Sequence, residues 1–216
     1  MSQSAEPKVP VLRYALWALL VVGLVGAMVA SFLSHSTGTK AERLPIFAEL
    51  PGFILTDQDG REVRLDDLLG EPWVATFIYT RCPGPCPKIS QKLAELGPKL
   101  PSGVRRVSFT VDPEHDDPAT LKAYAAKFEG HGGGSWQWLT GPKDGLYELI
   151  QDGFKLLVEP TQAASAAEGP LAHSLRFVLV DAEGRVRGYY LALEPEEAAK
   201  LLQDAAALAD EARKAR

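Results

Sequence analysis

From Trp73 to Tyr79 the chain reads Trp-Val-Ala-Thr-Phe-Ile-Tyr, and it passes at once into Thr80-Arg81-Cys82-Pro83-Gly84-Pro85-Cys86-Pro87. An uncharged run rich in aromatic and aliphatic residues is the pattern of a strand covered on both faces, as in the middle of a largely parallel sheet. The prolines that follow cannot extend it, because they lack a ladder donor and hold φ near −65°. A buried central strand ending in a stiff loop constrains the whole fold, since helices must then cover both sides of the sheet. The same loop carries the only two cysteines of the 216 residues.

The rest of the chain supplies that cover. Phe53 to Thr56 and Glu62 to Leu65 flank Asp57-Gln58-Asp59-Gly60, a turn signal that predicts a β-hairpin. Val104 to Val111 is a second apolar run, and between the two runs Ile89, Leu93, Leu96 and Leu100 recur at helical spacing, with Gly97-Pro98 as the stop. A helix over Pro118 to Phe128, a strand over Trp136 to Thr140 and a helix over Lys143 to Gln151 continue the alternation. Ser174 to Val180 and Arg185 to Leu191 then surround Asp181-Ala182-Glu183-Gly184 as a second hairpin. The chain closes with a helix whose stripe is Ala198, Leu201, Leu202, Ala205, Leu208 and Ala212. This order predicts an α/β thioredoxin-like sandwich, with the cysteine loop at the carboxyl edge of a central strand.

Tyr14 to Leu33 contains no charged residue, and about 20 such positions suffice to span a bilayer as a helix. A cleaved signal peptide is the competing reading, with Lys8 and Arg13 ahead of the run and Val25-Gly26-Ala27 as the cleavage site. The run is longer than a usual signal core, which favours a retained single transmembrane helix. The expected organisation is a cytoplasmic tail over 1–13, an anchor over 14–33, a linker over 34–48 and a folded domain over 49–216. Lys8 and Arg13 orient the tail inward, so the carboxyl domain is expected on the outer side of the cell inner membrane, where disulfides persist. A net charge of −5 argues against a nucleic-acid partner.

The cysteines admit a structural staple, a metal site or a redox pair. A staple closing so small a ring contributes only about 2 kcal/mol, and a domain with a substantial core has little need of it. If Cys86 opens a helix, backbone N–H groups, the helix dipole and nearby Arg81 are expected to lower its pKa. Two thiolates are too few for a closed zinc site, whereas two thiolates and an imidazole suit copper(I), which is favoured over copper(II). His35 borders the apolar run, His131 precedes three glycines and His115 follows Asp112-Pro113-Glu114. His173, just ahead of the late strand, is the best placed ligand, because in a thioredoxin-like sheet the loop before that strand faces the redox loop.

Three blocks resemble the Sco/SenC family of membrane-tethered copper proteins that help to assemble cytochrome c oxidase. They are Thr80 to Pro87, the Val111-Asp112-Pro113-Glu114-His115-Asp116-Asp117-Pro118 segment, and His173-Ser174 with Phe177 to Gly184. The resemblance spans roughly Phe53 to Tyr190. It differs at Gly84, where many members are acidic, at Ala172, where some have aspartate, and in the glycine-rich stretch from Gly130 to Gly134. It implies that Cys82, Cys86 and His173 bind one copper ion, and that Asp112 orients the site or a partner. The implied role is a metallochaperone rather than an enzyme, delivering copper to the copper-bearing subunit of the oxidase or reducing the cysteines of its binuclear centre. Other copper chaperones and thiol–disulfide reductants are the implied upstream partners. A thiol–disulfide oxidoreductase with Cys82 and Cys86 as catalytic residues is the alternative, followed by a peroxidase of the peroxiredoxin or glutathione-peroxidase type and by a copper or redox sensor acting through a membrane partner.

Overall fold

The computed structural model describes residues 17, 19–28, 43–128, 135–156 and 175–215. The chain divides into two compact units, Met1–Arg43 and Leu44–Arg216. In the first, residues 19–28 are helical and exposed. Among the described residues no helix is long and apolar enough to cross a membrane, and the expected span over 14–33 lies partly outside them.

The second unit is built on a sheet of eight strands. Its centre is β4 (Trp73–Ile78), in which every residue is buried, as the uncharged run demands. β5 (Arg105–Thr110) lies parallel to β4, with Trp73 opposite Arg105 and Ile78 opposite Thr110; β6 (Trp136–Thr140) lies parallel to β5. On the other side β7 (Arg176–Val180) runs antiparallel to β4, and β8 (Arg185–Leu191) returns antiparallel to β7. The hairpin of β2 (Ile54–Asp57) and β3 (Glu62–Arg64) extends the sheet beyond β6, and the short β1 (Ala48–Glu49) closes the opposite edge against β8.

Both hairpin turns use one device. The Asp57 carboxylate accepts the N–H groups of Asp59 and Arg61 at 2.9 and 2.8 Å, and that of Asp181 accepts Glu183 and Arg185 at 3.1 and 2.9 Å. A glycine with φ of 79° follows three positions later in each, Gly60 and Gly184, where a side chain would be strained.

Helices cover the two faces unequally. α1 (Leu65–Leu68) is one short turn after β3, and so takes Leu65, expected in the strand, into a helix. α2 (Pro85–Leu96) buries Ile89, Leu93 and Leu96, and α5 (Pro195–Lys214) buries Leu201, Ala205 and Leu208. Together with Val74, Phe177, Leu179 and Tyr190 they form one core. The opposite core joins Trp73, Phe77, Phe109 and Val180 to Leu146 of α4 (Lys143–Glu148) and to Leu149, Ile150 and Phe154. After Glu148 the helix widens into a π-turn over Leu149–Gly153. α3 (Pro118–Ala125), capped by the Asp117 carboxylate on the Thr120 N–H at 2.7 Å, packs Leu121 and Tyr124 against the cysteine loop.

The compact unit begins at Leu44. Arg187, buried in β8, donates from Nε and NH2 to the Leu44 carbonyl and from Nε to that of Pro45, while its NH1 holds Asp181 at 2.7 Å. A buried guanidinium needs several acceptors to offset its desolvation, and the entering chain provides two of them.

Candidate metal centre

β4 ends at Ile78, whose carbonyl still accepts from the Val111 N–H at 2.8 Å. Beyond it the chain is caught by Asp116. This carboxylate, with none of its surface exposed, accepts the Thr80 N–H at 3.1 Å, the Thr80 hydroxyl at 2.5 Å and the Thr110 hydroxyl at 2.5 Å. Asp116 is itself held in a turn, its N–H donating to the Asp112 carbonyl at 2.9 Å, and the Asp112 N–H reaches the Thr110 hydroxyl at 3.0 Å. The exits of β4 and β5 are thereby tied together two residues before Cys82.

The loop then folds onto its first sulfur. The Cys82 N–H donates to the Tyr79 carbonyl at 3.2 Å, and α2 begins so that the N–H of Cys86, its second residue, points at Cys82 Sγ from 3.4 Å. Pro85 occupies the first helical position, where a missing N–H costs nothing. Both cysteines are unbridged, and each keeps only 6% of its surface exposed, within a cluster that includes Tyr124, Phe128 and Trp138.

The two thiols are not equivalent. Burial works to raise the pKa of Cys82, but hydrogen bonds from the N–H groups of Cys86 and Gly84, from the Cys86 thiol and from the Tyr79 hydroxyl outweigh it and leave it lowered. Burial pushes the Cys86 thiol well up, and the neighbouring Cys82 sulfur adds to the effect. The expectation for Cys86 is therefore corrected: the helix N-terminus stabilises the thiolate of Cys82. The free N–H of the first turn faces the preceding sulfur, and the Cys86 side chain turns into the apolar cluster.

Arg81 is engaged elsewhere. Its NH2 group donates to Asp112 Oδ2 at 2.7 Å and lies 2.9 Å from His115 Nδ1, which is itself 2.8 Å from Asp112 Oδ1. Burial opposes ionisation of Asp112, but Arg81 and His115 together hold its carboxyl below the usual range. Tyr124, whose hydroxyl meets that of Ser90 at 3.4 Å, is pushed up to about 12 by burial.

Of the sequence-derived ligands, Cys82 and Cys86 are brought into side-chain hydrogen-bond contact. His173 lies outside the described residues, as do His35 and His131. Among the described residues no group of three or more His, Cys, Asp and Glu side chains is disposed to hold a metal. The donors that are described, two converging thiols with one inclined to ionise, fit a soft monovalent ion. Asp116 escaped the reading from sequence: it sits beside Asp117, which has the position of a helix cap, and hydropathy does not tell the solvated aspartate from the buried one. Tyr79, taken only as the end of a strand, supplies a hydroxyl to Cys82.

A parallel βαβ unit with an antiparallel hairpin beside it, and a dithiol loop opening its first crossover helix, defines a thioredoxin-like protein. The SCO1/SenC family pattern matches residues 47–209, and the chain belongs to that family. It is 32% identical over 179 residues to the SCO1 protein homolog of Bacillus subtilis, covering 81% of this chain and 90% of that one. Among solved structures, a SCO1/SenC family lipoprotein of Bacillus anthracis superposes with a TM-score of 0.68 at 32% identity, covering 78% of this chain and 99% of the other. ScoI of Bradyrhizobium japonicum, solved with copper bound, gives 0.59 at 30% identity, covering 72% and 98%. The Sco family is one of cytochrome c oxidase assembly proteins.

Proposed function

We propose that this chain is a membrane-tethered copper metallochaperone in which Cys82, Cys86 and His173 hold one copper(I) ion and pass it to the binuclear copper centre of cytochrome c oxidase. The observation that carries the reading is the meeting of two reduced thiols at the carboxyl end of the central strand, one of them biased towards thiolate. The register of the sheet supports the third ligand. Ala75 pairs with Val178 and Trp73 with Val180, so the chain entering β7 approaches the end of β4 from which the cysteine loop departs. His173 precedes β7 by three residues.

Three ligands leave room for an incoming thiolate, so cargo can leave by stepwise exchange of sulfur donors. Residues 14–33 serve in this reading as the anchor in the inner membrane, with 1–13 inside, 34–48 as tether and the carboxyl domain outside. X-ray absorption on the copper-loaded full chain is expected to count two sulfurs and one nitrogen. Loss of the nitrogen and a weaker affinity are expected in His173→Ala. Absence of stoichiometric copper, or an unchanged count and affinity in that variant, refutes the assignment.

The asymmetry of the thiols favours a second role at the same site. Cys82 as thiolate attacks a disulfide of the acceptor and expels one thiolate; Cys86 then attacks Cys82 and releases the second, leaving the acceptor with two thiols and this chain with one disulfide. Turnover of a disulfide acceptor by the metal-free protein, retained in His173→Ala, is the result expected for this role; no turnover refutes it.

A further inference from the structure

Immediately beyond Cys86, α2 presents a face that the fold does not use. Pro87, Lys88, Lys92 and Glu95 line a shallow groove of about 440 Å³ whose apolar lining includes Phe128 and Leu193. Leu193 keeps 42% of its surface exposed. The groove therefore starts one residue from the proposed copper site.

The charges on this face are placed against the interest of the helix. Lys88 lies near the amino end of α2, where the dipole disfavours a cation, and the first turn has no acidic residue to balance it. Lys92 follows at i+4, the spacing at which like charges repel. The one nearby carboxylate, Glu95, accepts from the Gln91 amide at 3.4 Å. Three other lysines are matched with acids, Lys122 with Asp59, Lys143 with Glu114 and Lys200 with Asp204. Among the described residues neither Lys88 nor Lys92 takes part in an ion pair. In a chain of net charge −5, two lysines against the single Glu95, beside an exposed leucine, leave a local basic and apolar spot, and an acidic protein surface is its complement.

We propose that the groove formed by Lys88, Lys92, Phe128 and Leu193 docks the protein that exchanges copper or electrons with Cys82 and Cys86, through an acidic surface that flanks that partner's own cysteines. The inference rests on the proposed function for the identity of the partner. The lysines draw the acidic surface in, the exposed Leu193 above the buried Phe128 provides the contact that excludes water, and the partner's sulfurs are thereby presented to the loop at the head of α2. Neither lysine touches copper. Charge here governs encounter, and so its effect falls with added salt.

The test uses the full chain with the reduced, metal-free soluble domain of the oxidase's copper-bearing subunit as probe. Copper transfer is followed by stopped-flow at low and high salt for the parent, for Lys88→Glu/Lys92→Glu and for Glu95→Lys. The double reversal is expected to slow the second-order rate about tenfold at low salt, Glu95→Lys to raise it, and all three to converge at high salt. Copper stoichiometry and affinity are expected to stay at parental values. Equal rates and equal salt dependence in all three chains overturn the proposal. A parallel NMR titration without metal keeps the docking question separate from the copper question. Shifts that cluster on the exposed face of α2 and Leu193, and vanish in the double reversal, support the proposal even if no copper binds; shifts confined to other surfaces, or none at all, overturn it.

Discussion

Replacing Asp116 by alanine probes the joint on which the cysteine loop hangs. The carboxylate accepts three donors, the Thr80 N–H and the hydroxyls of Thr80 and Thr110, in a site with no solvent exposure. Without it the two hydroxyls can rotate towards other acceptors, but the Thr80 N–H is fixed by the backbone and loses its partner. An unmet buried donor costs about 1–3 kcal/mol, and the deleted side-chain atoms add about 1 kcal/mol. Removal of a desolvated charge offsets part of this sum, so the net loss is about 1–3 kcal/mol. For a domain of this size that lowers Tm by about 2–12 °C. Asp116→Asn keeps the volume and one acceptor oxygen, and is expected to lose about half as much.

Urea denaturation gives the global figure, and the rate at which iodoacetamide modifies Cys82 in the folded protein gives the local one. Because the tie lies two residues before Cys82, loop opening is expected to accelerate more than global unfolding does. An alanine variant within about 0.5 kcal/mol of the parent, the range of an indifferent surface change, with an unchanged Cys82 rate, refutes the argument that Asp116 fixes the loop.

The remaining predictions concern charge and thiol chemistry. Near neutral pH iodoacetamide is expected to modify Cys82 before Cys86, so that Cys86→Ser keeps the fast phase and Cys82→Ser abolishes it; mass spectrometry of the modified peptide checks the order. Stability is expected to fall as pH rises above the ordinary thiol and phenol range. Cys86, Tyr124 and Tyr190 keep their protons in the folded state at pH values where the unfolded chain releases them. The folded state then binds more protons than the unfolded one, and each such proton removes about 1.4 kcal/mol per pH unit; denaturation curves at stepped alkaline pH, flatter for Cys86→Ala, check the sign. Arg187→Ala leaves the Leu44 carbonyl without its guanidinium and Asp181 with Arg185 alone, at a cost of about 3 kcal/mol. Denaturation measures that loss, and faster proteolysis ahead of Ala48 is expected with it.

What the sequence displayed of this fold is what local chemistry decides. The β4 run, both Asp-to-Gly turns and the stripe of α5 are each written within a few adjacent residues, and each forms where the pattern puts it. The features it did not display depend on distant partners. The chain at Leu44 is held by Arg187, which lies 143 positions away along the chain, and β1 exists only through its pairing with β8. The tie at Asp116 reaches back 36 positions to Thr80. The inversion of the two thiols depends on burial by Tyr124 and Phe128, brought over Cys86 by α3 and the turn after it.

Part of that inversion was nonetheless written in the loop. Pro83, Pro85 and Pro87 have no N–H, so between Cys82 and Lys88 the main chain retains only two donors, those of Gly84 and Cys86. Both act on the Cys82 sulfur. Neither is spent on the thiol of Cys86, which burial then keeps protonated. The prolines thus do more than stiffen the turn: by removing three of five donors they direct the remaining polarity of the helix start to one sulfur. A pair prepared in this way offers one donor that ionises readily and a second that ionises only when an ion or an attacked disulfide compensates its charge. That single asymmetry suits either soft-metal capture or dithiol exchange, the two roles proposed for the same two residues.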